Sequence, residues 1–155
     1  MSPQHIPILN LFDWRVIADQ AFSGVGIGFD IVQISQIENS LVQFGDAFKK
    51  RLFTQGELNY ACCVEGLSPE RLAARFAVKE AVIKALHLSD VGVDWREIEA
   101  IKQPEGRCYL QLHGDVAELA VGLGVRQWLL SMSHDGDYAG AVVLALGFSS
   151  EHKIF

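Results

Sequence analysis

Two carboxylates and two lysines are the residues of this chain best suited to chemistry. Asp30 ends the glycine-rich run Gly24-Val-Gly-Ile-Gly-Phe-Asp30, and Glu80 lies in Phe76-Ala-Val-Lys-Glu-Ala-Val-Ile-Lys-Ala85. The small and apolar neighbours of Glu80 predict partial burial, and a partly buried carboxylate needs a cation or a hydrogen-bond donor to offset its desolvation. Two carboxylates beside the ammonium groups of Lys79 and Lys84 are suited to binding a magnesium diphosphate.

Each of these features also has an ordinary structural explanation. An aspartate at a strand end is commonly a turn or cap residue, and Glu80 with Lys84 one turn later is a common helix-stabilising pair. Residues 24, 26 and 28 are glycines that share one face of the predicted strand with Asp30. They either allow close packing of the backbone or leave space for a ligand, and the strand pattern leaves both alternatives open.

The cysteines and histidines do not indicate a zinc or disulfide site. Cys62, Cys63 and Cys108 are odd in number and show no CxxC spacing, which fits a reducing cytosol. The five histidines include no pair at helical ligand spacing, so we expect any metal to prefer carboxylates. Ser133 and His134 are neighbours on a predicted strand, where adjacent side chains point to opposite faces, and this disfavours a Ser-His hydrolase.

Length and charge limit the classes of function. A chain of 155 residues, half of them hydrophobic, fits one domain with one core. The longest apolar run, residues 141–146, is far below the roughly 18 residues that span a bilayer, and residues 1–22 lack the pattern of a signal peptide. We therefore expect a soluble, cytoplasmic protein without a membrane partner. The net charge of −6 argues against a nucleic-acid partner.

The basic residues are concentrated in one segment. Residues 49–84 hold seven of the thirteen lysines and arginines but only four acids, which leaves this segment with a charge of +3. Such a segment is either a solvated helix face or a binding site for an anionic ligand or partner.

The elements that must position these residues form one predicted α+β domain. We divide the chain into an N-terminal extension (1–22), a domain (23–148) and a C-terminal tail (149–155). Helices are predicted over residues 34–48 and 54–64, and Ser68-Pro69-Glu70 predicts the start of a long helix that ends near Leu88. The second half is rich in β-strand residues, and His134-Asp135-Gly136-Asp137 predicts a hairpin turn. We expect a compact domain whose mainly antiparallel sheet packs against the long helix.

Three motifs follow one another along the chain: Gly26-Ile-Gly-Phe-Asp30-Ile-Val, Arg75-Phe-Ala-Val-Lys-Glu-Ala-Val-Ile-Lys-Ala85, and Ser131-Met-Ser-His134 with Tyr138-Ala-Gly-Ala-Val-Val. In order and spacing they resemble the motifs of the holo-acyl-carrier-protein synthases, the short single-domain type of the 4′-phosphopantetheinyl transferase superfamily. The resemblance covers the chain from about Gly24 to Gly147. The stretch Arg51-Leu-Phe-Thr-Gln-Gly-Glu57 is similar to the family's RxFTxxE segment.

This resemblance implies a role for each matching residue. It makes Asp30 and Glu80 the magnesium ligands, and Asp30, Glu80 and Lys84 the catalytic group. Lys79 and Lys84 are expected to hold coenzyme A phosphates, with Ser133 and His134 near the nucleotide end. Carrier docking is expected at four positions, where the arginines could equally meet the nucleotide: Gln36, Arg51, Arg71 and Arg75.

The implied reaction moves phosphopantetheine from coenzyme A to a serine of apo acyl carrier protein and releases adenosine 3′,5′-bisphosphate. The resemblance also implies a homotrimer with its sites at subunit boundaries. Gln36 stands where the family commonly has arginine, and His87 stands where it usually has glycine. These two departures motivate the alternative of a catalytically silent member that only binds carrier protein or nucleotide.

Overall fold

The computed structural model describes residues 22–148, with side chains from Val25 to Gly147. The predicted tail and all but the last residue of the predicted extension lie outside the described residues. The elements, in chain order, are β1 (Phe22–Gln33), α1 (Ile34–Leu52), α2 (Gln55–Ala61), β2 (Cys62–Cys63), β3 (Gly66–Leu67), α3 (Pro69–Ala85), a 3-10 turn (Trp95–Glu97), β4 (Ile98–Lys102), β5 (Cys108–Leu112), α4 (Gly114–Gly122), β6 (Gln127–Asp135) and β7 (Tyr138–Phe148).

The strands form antiparallel sheets, and α3 lies across the largest one. This sheet has the order β1-β7-β6, with a bulge in β1 between Gly24 and Gly26. The hairpins β2-β3 and β4-β5 are separate two-stranded sheets. The expected α+β class, with a mainly antiparallel sheet packed on a long helix, is confirmed. None of the helices described between residues 22 and 148 is long and apolar enough to cross a membrane.

The glycines of β1 let α3 lie unusually close to the sheet. A Cβ atom on Gly28 would collide with the backbone carbonyl of Ala81, and one on Gly26 would collide with that of Ala85. Ala81 and Ala85 are themselves buried in the core. The structure therefore favours the close-packing alternative for the glycine row, and this packing carries the end of β1 to the side of α3.

The helix boundaries follow local signals, with two differences from the predictions. The Ser68 side chain accepts a hydrogen bond from the Arg71 amide and Pro69 begins α3, as predicted. Helix α1 continues through the basic residues 49–51 to Leu52, with a kink where Gly45 has a φ of 51°. The predicted helix 54–64 is wrong at its end, because residues 62–67 form the β2-β3 hairpin.

The apolar face of β1 points away from α3 and is open in the single subunit. Ile27, Phe29 and Ile31 are 66%, 60% and 58% exposed, whereas Val32, on the side of Asp30, is buried. Leu144 of the neighbouring β7 and Tyr138 at its start are also exposed. Apolar patches of this kind commonly mark surfaces that bind another protein.

Candidate active site

Asp30, Glu80 and Lys84 meet where β1 passes α3. The Lys84 ammonium lies 2.7 Å from Asp30 Oδ1 and donates a second hydrogen bond of 3.2 Å to the Phe29 carbonyl. This contact follows from the close packing at Gly26 and Gly28, because Asp30 is two residues beyond Gly28 on the same face of the strand. The hydrogen bond that Lys84 donates to the Asp30 carboxylate raises the pKa of Lys84.

Glu80 lies in a less favourable electrostatic environment than an ordinary surface glutamate. Partial burial is the main cause that raises its pKa, and the negative charge of Asp30 raises it further, while Lys84 works in the opposite direction. The predicted partial burial of Glu80 therefore agrees with the structure. A carboxylate held beside a second carboxylate gains from any cation that binds between them.

This donor set fits a hard divalent cation that completes its coordination elsewhere. Two carboxylates that repel one another, with Asp30 having one contact to an ammonium group, are suited to magnesium, which commonly combines one or two protein carboxylates with phosphate oxygens and water. No group of three or more His, Cys, Asp or Glu side chains within residues 22–148 could hold a metal alone. A cation held by Asp30 and Glu80 would complete its coordination with oxygen atoms from water or a substrate.

The structure does not bring Lys79 to the carboxylate pair. Its ammonium group has no exposed surface, lies 2.8 Å from Glu57 Oε2, and donates hydrogen bonds to the Trp95 carbonyl at 2.9 Å and to the Ile98 carbonyl. Burial lowers the pKa of Lys79, and the Glu57 carboxylate counteracts this effect. All of its hydrogen bonds are directed to the protein interior, which leaves none for a phosphate.

Arg75, which the resemblance assigns to either the carrier protein or the nucleotide, is likewise buried. Its guanidinium is 4.0 Å from the centre of the Tyr60 ring, and Nη1 donates to the Arg71 carbonyl at 3.0 Å. Nε and Nη2 are buried and have no hydrogen-bond partner among the described residues. A buried cation with two unused donors is suited to binding an anion.

Arg75 is one of the residues that line a basic pocket of about 290 Å³. Arg71 donates a hydrogen bond of 2.9 Å to the Tyr60 carbonyl, and Lys102 lies 5.7 Å from the Tyr60 ring centre. Ser133 and His134 of β6 line the same pocket. The structure thus places four of the predicted residues together, in a cavity lined by Tyr60, Arg71, Ala74, Arg75, Lys102, Gly106, Cys108, Met132, Ser133 and His134.

The basic pocket and the carboxylate pair lie on different sides of α3. Arg75 and Lys84 are nine residues apart in this helix. That separation is about two and a half turns, so the two side chains leave opposite sides of the helix and start about 13 Å apart along its axis. The basic pocket and the carboxylate pair of this chain therefore face in different directions.

The remaining predicted residues lie at the surface. Gln36, in the first turn of α1, and Arg51, in its last turn, are exposed. His87 follows the end of α3 with a φ of 56°, the left-handed conformation that glycine adopts most easily. Glycine, which the family resemblance leads us to expect at this position, would adopt this conformation at a lower cost in free energy.

Glu57, Tyr60 and Lys102 belong to these arrangements but were not among the predicted site residues. Thr54 and Glu57 form a capping box at the start of α2, which their spacing in the sequence signals directly. The second role of Glu57, as the partner of Lys79, depends on a contact across elements. Tyr60 and Lys102 carry no local signal, because they reach the arginines only after α2 and the β4-β5 hairpin pack beside α3.

Comparison with known proteins agrees with this geometry. Residues 26–143 match the model of the 4′-phosphopantetheinyl transferase superfamily. The holo-[acyl-carrier-protein] synthase of Koribacter versatilis is 42% identical over 121 residues, which cover 77% of this chain and 96% of the relative. The enzyme of the same name from Salinispora arenicola is also 42% identical, over 78% of this chain and 97% of its own length.

Solved structures show the same fold. An ACPS–CoA complex from Chronobacterium ammoniagenes aligns with a TM-score of 0.69 and 36% identity, over 84% of this chain and 99% of that one. The Helicobacter pylori holo-[acyl-carrier-protein] synthase in complex with coenzyme A aligns with a TM-score of 0.66 and 28% identity, over 79% and 99% of the two chains. This chain therefore belongs to the holo-acyl-carrier-protein synthases of the 4′-phosphopantetheinyl transferase superfamily.

Proposed function

We propose that this protein transfers 4′-phosphopantetheine from coenzyme A to a serine of apo acyl carrier protein and releases adenosine 3′,5′-bisphosphate. The observation that carries the proposal is the cluster of Asp30, Glu80 and Lys84 on the side of α3. Family membership supports it, and so do the relatives whose structures contain coenzyme A.

Asp30 and Glu80 are the proposed protein ligands of Mg²⁺. When bound, the cation would neutralise charge on the diphosphate oxygens and make the β-phosphorus more electrophilic. Lys84 is 48% exposed at its side chain, so its ammonium group is accessible to phosphate oxygens as well as to Asp30. Lys84 therefore holds the diphosphate next to the two carboxylates.

The proposed reaction is a direct displacement at phosphorus. The carrier serine oxygen forms a bond to the β-phosphorus, and the bond from that phosphorus to the bridging oxygen breaks. Adenosine 3′,5′-bisphosphate leaves with the bridging oxygen, and Lys84 stabilises its charge. The hydroxyl proton passes to a carboxylate oxygen of Glu80.

The basic pocket is the proposed site for the nucleotide end of coenzyme A. Arg75 offers two unused buried donors, and Arg71, Lys102 and His134 add positive charge or hydrogen bonds around them. We therefore assign Arg75 to the nucleotide phosphates instead of the carrier protein. Lys79 is left out of the coenzyme A site, because its ammonium group is enclosed by Glu57 and two carbonyls.

Two features support a homotrimer with sites shared between subunits. The basic pocket and the carboxylate pair face in different directions in one chain. One coenzyme A molecule can therefore use both only if one subunit contributes the pocket and its neighbour contributes the carboxylates. The exposed apolar face around Ile27, Phe29 and Ile31 supplies a surface that a neighbouring copy can cover.

Carrier docking is proposed at exposed positions of α1. Helix α1 begins four residues after Asp30, and the exposure of Gln36 in its first turn supports a docking position close to the proposed metal site. The basic last turn of α1, with Arg51, offers positive charge to an acidic carrier. A cytoplasmic location, predicted from the cysteines, belongs to the same proposal.

Mass spectrometry of apo carrier protein tests the proposed transfer. Incubation with this protein, coenzyme A and Mg²⁺ should add the mass of one phosphopantetheine, and a carrier whose serine is changed to alanine should gain nothing. Chelation of the metal should abolish the gain. If the carrier binds but stays unmodified with several different carriers, the chain is a silent binding module and the proposed transfer is wrong.

A further inference from the structure

Helix α1 has no cap of its own at its N-terminus. Its N-cap residue, Gln33, makes no side-chain capping bond, and the first turn contains no acidic residue. The first amides of a helix have no partner within the helix and carry partial positive charge, so another group must satisfy them.

Asp137 supplies this missing cap from the turn between β6 and β7. Its Oδ1 accepts a hydrogen bond of 2.8 Å from the Ser35 amide, and Oδ2 accepts 2.8 Å bonds from Ser35 Oγ and Gln33 Nε2. Its backbone carbonyl accepts a fourth bond, also 2.8 Å, from the Ile34 amide. One residue therefore ties the turn to the start of a helix about a hundred positions earlier in the sequence.

The two segments joined by Asp137 are the ones that carry the proposed site. The junction of β1 and α1 follows Asp30 by only three residues, and β1 pairs with β7 from Asp30 opposite Ala141 to Gln33 opposite Tyr138. On the other side, the turn directly follows Ser133 and His134, which line the basic pocket.

We propose that Asp137 is a positioning residue that holds the His134 hairpin against the β1-α1 junction, and so fixes the nucleotide pocket relative to the start of α1. The inference rests on the proposed function, because it assigns His134 to coenzyme A. Asp137 touches no reacting atom in this scheme. It acts through Ser35, Gln33 and the geometry of the turn.

Variants of the two aspartates in this turn test the proposal. Asp137→Ala should raise the Kd for coenzyme A, measured by calorimetry with Mg²⁺ present, by about five- to tenfold, because it weakens the positioning of the pocket and removes no direct contact with the ligand. Its KM for coenzyme A should rise by a similar factor, while kcat at saturation should change much less. Asp135→Ala is the matched control, since it removes the same charge two residues away and its side chain makes no hydrogen bond within the described residues.

A conservative substitution and a combined set of substitutions distinguish a positioning role of Asp137 from a general loss of stability. Asp137→Asn keeps an acceptor for the Ser35 amide and should restore part of the affinity. Asp137→Ala should have a smaller effect in a background that already carries Gln33→Ala and Ser35→Ala, because two of its partners are gone.

The outcomes distinguish this inference from the proposed function. If Asp137→Ala lowers the melting temperature but leaves Kd and KM for coenzyme A at the values of the parent protein, the residue is only a helix cap and the inference is wrong. If the Asp135→Ala control weakens coenzyme A equally, charge and not position is responsible, which also overturns it. If the parent protein itself transfers nothing to any carrier, the failure belongs to the proposed function.

Discussion

Glu80 is the residue whose environment bears most directly on the chemistry. It is a partly buried carboxylate beside Asp30, and its raised pKa means that its ionisation opposes folding at neutral pH. In the proposed reaction, this carboxylate serves as a metal ligand and as the proton acceptor. Function and stability should therefore respond in opposite directions when Glu80 is neutralised.

Glu80→Gln should reduce kcat for transfer by about a hundredfold or more, because it removes a ligand and the proton acceptor together. In metal-free buffer at neutral pH it should raise the melting temperature. The destabilising charge of Glu80 develops as the pH rises above the ordinary value of 4.5, so the two proteins should converge in stability below that pH. A metal-free variant that melts at or below the parent at pH 7 would contradict this account.

The backbone conformation of His87 costs free energy. Its φ of 56° lies in the left-handed region, where a side chain is disfavoured and glycine is not. His87→Gly should stabilise the protein by about 1 kcal/mol in urea unfolding. His87→Ala is the control, since it removes the imidazole but keeps the Cβ atom, and it should give no such gain. Equal stabilisation by both variants would show that the imidazole, not the backbone, is responsible.

The packing of α3 on β1 is the feature of the elements on which the site depends. Gly26 and Gly28 let the helix approach until Lys84 reaches Asp30 at 2.7 Å. Any side chain at these positions has to push the helix outward, and a shift of even 1 Å separates the lysine from the carboxylate.

Gly28→Ala should destabilise the protein by about 2–3 kcal/mol, because its methyl group meets the backbone of Ala81 and not a flexible side chain. Coenzyme A affinity should fall with it. Gly122→Ala in α4 is the matched control, since a Cβ atom there meets nothing within 4 Å. Urea unfolding and calorimetry on both variants would measure the effects, and a stable Gly28→Ala protein with unchanged affinity would refute the packing argument.

At the scale of the whole molecule, no described part of the chain covers the apolar face of the sheet. We therefore expect a neighbouring copy of the protein to cover it. Ile27→Asp places a charge on this face, away from Asp30 and the catalytic cluster. Light scattering should show a trimer for the parent protein and a monomer for the variant, with circular dichroism unchanged. A variant that remains trimeric would show that this face is not the interface.

Subunit complementation tests the shared site directly. Arg75→Met disables the nucleotide pocket and Glu80→Gln disables the carboxylate pair, so each variant alone should lack activity. After the two proteins are mixed and their subunits exchanged, some sites should combine an intact pocket from one subunit with an intact carboxylate pair from its neighbour. Activity should then reappear. No recovery after confirmed exchange would place both halves of the site within one chain.

The sequence alone determined the features that depend on local order. Four features follow from patterns within one or two turns of chain: the strand that carries Asp30, the start of α3 at Ser68, the hairpin before Tyr138 and the Glu80–Lys84 pair. The family could be predicted from the order and spacing of its motifs, because these are visible in the sequence without the tertiary structure.

Only the tertiary structure decided which charged groups are buried and which are free. Lys79 and Glu80 are neighbours in the chain, yet Lys79 is enclosed with Glu57 while Glu80 faces Asp30, because adjacent residues of a helix point about 100° apart and meet different elements. Likewise, no sequence pattern near Arg75 predicts its contact with the Tyr60 ring. Burial and pairing arise from contacts between distant segments, and those contacts exist only once α3 is packed between the sheet and the β4-β5 hairpin.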